Sequence, residues 1–170
     1  ESDNVAFGYE LALSDKTNLI TIAGLNKEKN ALLGMTGTGA YNFEGSRSNH
    51  TYLGLKSSAS PNSLTNLFGQ FFFGKTTFQK PDDSIIAGAT PIRTTSFKAG
   101  ISRNDHLNKY EWSVQLSQPP RIESGHLMMD LVDEYDQFGN LHYKNRSVGL
   151  APSGRQLDFG AHYSMKLINS

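Results

Sequence analysis

The chain contains no cysteine, so neither a disulfide nor a zinc–thiolate site is available to it. It has no excess charge of either sign, because sixteen Lys and Arg balance sixteen Asp and Glu. A nucleic-acid binder needs a basic face to displace counterions, and this balance argues against one. No apolar run approaches the ~18 residues of a transmembrane helix. The opening Glu1-Ser2-Asp3-Asn4 lacks a basic region followed by an apolar stretch, so it is not a signal peptide. It also lacks an initiator Met, and the expectation is a piece excised from a larger protein. Proline is modest at 6 and tryptophan occurs once, whereas glycine reaches 16, phenylalanine 10 and tyrosine 7. A length of 170 residues suits a single domain, 1–170.

What the sequence does have is alternation. Leu157, Phe159, Ala161, Tyr163, Met165 and Leu167 alternate with Gln156, Asp158, Gly160, His162, Ser164 and Lys166. Such a segment is a two-faced strand, apolar on one side and polar on the other. Trp112, Val114 and Leu116 repeat the pattern, as do Phe97, Ala99 and Ile101, and Val5, Phe7, Tyr9 and Leu11. Leu127, Met129 and Leu131 mark a further run, as do Phe71 and Phe73, preceded by Thr51, Leu53 and Leu55. Clusters rich in Asn, Asp and Gly separate these runs at 14–18, 26–30, 104–108 and 136–140. These residues tolerate the positive φ of hairpin turns. No sustained helical stripe is present; Asn62–Asn66 suits one short turn, and Gln79–Pro91 is the longest expected irregular piece. The expectation is an all-β antiparallel meander of about nine or ten strands, each roughly 7–12 residues long.

Two architectures satisfy that pattern. In a membrane barrel the apolar faces meet lipid and the polar faces line a wet lumen. In a soluble β-sandwich or barrel the faces are inverted around a dry core. Periodicity does not choose between them. Three features favour the membrane: the runs approach the ~9–11 residues that span a bilayer; their polar faces are rich in Gly, Ser, Thr, Asn and Gln; and Tyr41, Phe43, Tyr110 and Tyr163 lie near strand ends, like an aromatic girdle.

One segment is more specific than alternation. It runs Trp112-Ser113-Val114-Gln115-Leu116-Ser117-Gln118-Pro119-Pro120-Arg121-Ile122-Glu123-Ser124-Gly125, and is followed by Leu150-Ala151-Pro152-Ser153-Gly154-Arg155-Gln156-Leu157-Asp158-Phe159. The pair resembles the C-terminal β-domain of subtilisin-like serine protease autotransporters of Gram-negative bacteria. There a Ser-Gln-Pro strand-turn-strand precedes a Pro-Ser-Gly-Arg hairpin. Phe7-Gly8-Tyr9, the Leu32–Gly39 segment, Thr51–Leu55 and Phe72–Thr76 fall in the same order. The resemblance implies a barrel in the outer membrane or at the cell surface that helps an N-terminal protease passenger reach the exterior and anchors it there. It implies no catalytic residue and no cofactor in this chain. The membrane and its assembly machinery would be its partners. Two departures stand out. Family members continue past the Pro-Ser-Gly-Arg hairpin by further strands to a terminal aromatic residue, whereas this chain stops at Lys166–Ser170. The helix that threads the pore is not visible either. A sheet edge left open this way would accept a protein partner by strand addition. The alternative is a soluble, secreted all-β accessory module of a protease that acts in protein binding or folding.

Other constellations are weaker. Ser124, His126 and Asp130 have the residue types of a hydrolase triad but lack the nucleophile elbow. Asp130, Asp133, Glu134 and Asp136 depart from calcium-loop spacing, and solvated charge at a hairpin tip is expected. His142 and His162 would face each other across a hairpin without a third metal ligand. Gly34–Gly39 lacks the Lys-Ser/Thr of a phosphate loop, and a Gly-rich strand passing close to another backbone is expected. Asn49-His50-Thr51 and Asn145-Arg146-Ser147 match the glycosylation sequon only by chance. Arg121 and Arg155 are the charges to follow. With Glu123 and Asp158 at hand, a structural ion-pair network is expected, because a guanidinium suits planar bidentate pairing.

Overall fold

The structure is a computed structural model that describes residues 2–105 and 110–165. It is all-β. The strands are β1 (Ser2–Ser14), β2 (Thr17–Lys29), β3 (Arg47–Ala59), β4 (Thr65–Gln79), β5 (Ile86–Ala89), β6 (Ile92–Asp105), β7 (Tyr110–Ser124), β8 (His126–Tyr135), β9 (Leu141–Gly149) and β10 (Asp158–Met165). Seven of them form one sheet in the order β1-β2-β3-β4-β6-β7-β10, and β5-β8-β9 form a second. Every pairing is antiparallel. The large sheet is therefore a meander interrupted by two insertions, β5 and the β8–β9 hairpin, which make the small sheet. No closed barrel forms among the described residues, since β1 and β10 stand at opposite ends of the strand order.

Register carries one apolar face across all seven strands. Phe7 pairs with Ala23, Ala23 with Leu53, Leu53 with Phe73. Phe71 pairs with Phe97, Ile101 with Val114, Leu116 with Phe159 and Trp112 with Tyr163. Among the described residues most of this face is exposed: Phe7 is 75% exposed, Leu53 55% and Phe159 73%. On the opposite face glycines stand directly across from aromatic rings, Gly24 from Tyr52, Gly54 from Phe72 and Gly100 from Phe68. Each ring lies over the space that a Cβ on its glycine would occupy. Glycine opposite an aromatic lets a strand bend while its partner restores the packing.

The two ends of the large sheet differ. At one end the links are short: Asp15-Lys16 joins β1 to β2, and Ser60–Leu64 joins β3 to β4. In the latter the Asn62 side chain accepts from the amides of Leu64 and Thr65 and bends the chain, while Thr65 and Asn66 already belong to β4, so the short turn expected over Asn62–Asn66 does not extend that far. At the other end lie the long segment 30–46, the segment holding β5, and the small sheet. The buried core is confined there. Leu32, Phe43, Ile86 and Ile92 form it, with Phe78, Ile122, Leu127 and Leu150 packed around them. Phe43 meets Phe78 edge-on at 5.9 Å between centroids.

Several expectations are corrected. Six of the seven main strands run 13–15 residues, longer than expected. Asn26–Lys29 lies inside β2, because Arg47–His50 of β3 supply its ladder partners. Asn104 and Asp105 likewise belong to β6, and 106–109, including His106, lie outside the described residues. Gln79–Pro91 contains β5, and the longer strand-free interval is 30–46. Tertiary pairing overrides weak strand propensity at these positions.

Gly100 shows how little room the inner face has. A Cβ there would lie 2.5 Å from the Phe68 ring and 2.6 Å from the Val114 carbonyl oxygen. Gly100→Val should destabilise by roughly 1–3 kcal/mol through overpacking. Gly8→Ala, whose Cβ would meet nothing closer than 3.9 Å, should be close to neutral. Denaturant midpoints of the two variants, followed by circular dichroism, check the contrast.

Candidate functional site

The expected charge network gathers where β7 meets the segment returning to β10. Pro119 and Pro120 have no amide to donate, and β7 bulges against β6 there: Phe97 pairs with Gln118, but Thr95 pairs with Arg121. The bulge brings Thr95, Gln118, Arg121 and Glu123 together. The Thr95 hydroxyl donates to Glu123 Oε1 at 2.6 Å and accepts from Gln118 Nε2 at 3.2 Å. Arg121 Nη1 lies 3.5 Å from Glu123 Oε2. Arg155 Nη2 donates to both Glu123 oxygens at 3.1 Å, and its Nη1 donates to Gln118 Oε1. Arg121 Nη2 donates to the Pro152 carbonyl at 2.6 Å. One carboxylate thus holds two guanidiniums, and both arginines tie the 150–157 segment to the end of β7.

A cavity of about 690 Å³ opens beside this cluster, lined by Gln118, Pro119, Leu150, Pro152, Ser153 and Gly154 among others. Its two cations are engaged by Glu123 and backbone oxygen. Within the cluster the Thr95 hydroxyl and the Glu123 carboxylate are engaged with each other and with the arginines, so the arrangement clamps the 150–157 segment to β7.

The remaining motif residues are placed as follows. Ser117 lies in β7, paired with Lys98 on one side and Asp158 on the other. Gly125, at φ +143°, makes the sharp passage from β7 to β8, and a Cβ there would press on Ile92. Asp158 stays out of the network and accepts from Gln156 Nε2 at 2.9 Å. The stretch Ser117–Ser124 is not strand-turn-strand but one continuous strand, since the β6 ladder runs past the bulge. Pro152–Arg155 is not a hairpin: it links β9 to β10, which belong to different sheets. Thr95 was missed, since a lone threonine in an alternating run carries no signal of its own.

The other constellations come apart. No hydrogen bond among the described residues joins Ser124, His126 and Asp130; the His126 amide donates to Thr90, and Asp130 accepts from Asn145. Asp133 pairs with Lys144 at 3.6 Å and with Arg146 at 3.4 Å. The described residues contain no cluster of three or more metal-ligating side chains. His142 lies beside Asp136 in the small sheet and His162 beside Glu111 in the large one, so the two do not face each other. Gly34–Gly39 is a loop rather than a strand. Leu33 and Gly34, both at positive φ, form a tight turn closed by the mutual backbone bonds of Leu32 and Met35. Further along, Gly37 approaches the Tyr41 carbonyl closely.

In comparisons with protein families, curated proteins and solved structures, no match to this chain was found. Fold and site together define an antiparallel all-β protein with a bare apolar sheet face and an arginine–glutamate clamp.

Gln118 is 3% exposed and links Thr95 to Arg155. Gln118→Ala should cost about 1–3 kcal/mol, because buried polar partners lose their hydrogen bonds. Asp158→Asn should have little effect. Thermal or denaturant unfolding of both variants tests this. The β8–β9 turn offers a pH test. Asn140, through its side chain and then its amide, holds the Asp136 carboxyl below the usual carboxylate range, with help from the Phe138 and Gly139 amides. A lowered folded pKa means that the contribution is complete above the ordinary carboxylate pKa and is lost as pH falls through the folded value. The protection of the Phe138 and Asn140 amides, taken relative to intrinsic exchange at each pH, should therefore be highest near neutrality and fall in acid. Asp136→Asn should abolish that pH dependence.

Proposed function

We propose that this chain is the β-domain of an outer-membrane protein of the autotransporter type, which carries and anchors an N-terminal subtilisin-like protease passenger at the surface of a Gram-negative bacterium. The observation that carries the reading is the uncovered apolar face running through all seven strands of the large sheet, backed by a polar, glycine-rich inner face. In water such a face is costly, whereas in lipid it is the outer band of a barrel. No helix of the described residues is long and apolar enough to cross a membrane, and strands would do the crossing.

The asymmetry of the connections supports the same reading. Membrane barrels have short turns on the periplasmic side and long loops outside. The large sheet has its short links at one end and its long segments, core and small sheet at the other. The Ser117-Gln118-Pro119 and Pro152-Ser153-Gly154-Arg155 motifs support the autotransporter assignment within the barrel class. Chemistry then belongs to the passenger, and this domain contributes passage and attachment.

Partition of the purified chain between plain buffer and detergent micelles tests the proposal. Monodisperse β-structure is expected only in micelles. A well-folded monomer in buffer, with tryptophan fluorescence from Trp112 unchanged by detergent, would overturn it.

A further inference from the structure

The two edges of the large sheet impose a rule of direction. Six successive antiparallel pairings connect β1 to β10. Each pairing reverses the chain, so β1 and β10 run the same way, both from the end with the long connections toward the end with the short turns. Both are open among the described residues: β1 pairs only with β2, and β10 only with β7. Neither contains proline, and β1 is exposed along its whole length. In hydrocarbon such edges leave backbone donors and acceptors without partners, which is costly, so they must be filled.

Direct closure of β1 on β10 would be parallel, the weaker pairing and one foreign to bacterial single-chain barrels, whose strands are antiparallel and even in number. A second copy does not remove the difficulty. Copies inserted from the same side share one orientation, so the β1 of one would meet the β10 of the next, again in parallel. Isologous β1–β1 pairing is antiparallel, but its two-fold axis lies in the membrane plane and turns one copy upside down.

Resting on the membrane reading above, we propose that the seam between β10 and β1 takes an odd number of partner strands, one at minimum, each amphipathic and with the edge-contacting ones antiparallel to β1 and to β10. The partner presents apolar side chains beside Phe7, Tyr9, Phe159 and Tyr163 and small polar ones beside Gly8 and Gly160, because pairing preserves the two faces. Side chains on both edges then continue the existing outer band and inner lining without a break.

The absence of cysteine makes the test direct. Single cysteines are placed on β1 as Asn4→Cys or Ala12→Cys, and on β10 as Asp158→Cys or Ser164→Cys. The folded chain in micelles is mixed with a synthetic peptide of alternating leucine and serine carrying one cysteine near its N-terminus. Disulfide adducts are expected with Ala12→Cys and Ser164→Cys, several-fold above those with Asn4→Cys and Asp158→Cys. The reverse or an equal pattern, or no adduct, overturns the proposal. So does an intrachain disulfide in the double variant Ala12→Cys/Ser164→Cys, which reports direct closure, or a chain–chain disulfide, which reports a second copy. Micelle association, measured on the same samples, separates the two claims. Binding without the peptide adduct removes the seam alone, and loss of binding removes the membrane reading.

Discussion

Consistent register along the antiparallel ladders is the constraint on which the rest of this molecule depends. A shift of one residue in any pairing would exchange the faces of every strand beyond it. The apolar residues of β1, near one edge, and those of β10, at the other, share a face because all the intervening registers agree. A sheet that sets most of its apolar side chains on one exposed face, and glycines under aromatic rings among polar residues on the other, has distinguished its two faces without building a conventional core. The buried cluster of Leu32, Phe43, Ile86 and Ile92 is small and local. It fastens the connections at one end and contributes nothing to covering the broad face.

The insertions add a second demand. The meander must let the chain leave after β7, build β8 and β9, and return so that β10 lands on β7. Three local devices at the end of β7 answer it. The prolines at 119 and 120 release the strand from the ladder where no amide is available. Gly125 takes a backbone conformation that turns the chain away toward β8. Arg121 and Arg155 then hold the returning segment against Glu123, Gln118 and the Pro152 carbonyl. The clamp is electrostatic, but its purpose is topological: it keeps the return path short and places Asp158 opposite Ser117.

Much of this was legible in the residues. The alternating runs at 5–11, 97–101, 112–116 and 157–165 all fall in strands or begin beside one, because a two-residue period has one simple backbone solution. The pairing of Arg121 and Arg155 with Glu123 was legible as a matter of charge and geometry. Turns were less so. Asn and Lys at 26–29 look like loop residues, yet β3 pairs with them and they remain strand. The Pro-Ser-Gly-Arg segment looks like a hairpin, yet its flanking strands pair with different neighbours. Thr95 had no signal at all, since its role comes from a bulge on the strand beside it.

The sequence by itself determined the class of secondary structure, the existence of two chemically distinct faces and the residues available for the charge clamp. These follow from side-chain spacing and valence, which are local properties. Only the tertiary structure decided that the apolar face stays bare, that β5, β8 and β9 leave the large sheet, and that β1 and β10 end as open edges running the same way. Those outcomes depend on which strand pairs with which, and hydrogen-bonded backbone groups are identical at every residue but proline. Side-chain order therefore predicts that strands will pair, while the choice of partner emerges from long-range register, the bulge at the prolines and the packing at one end of the sheet.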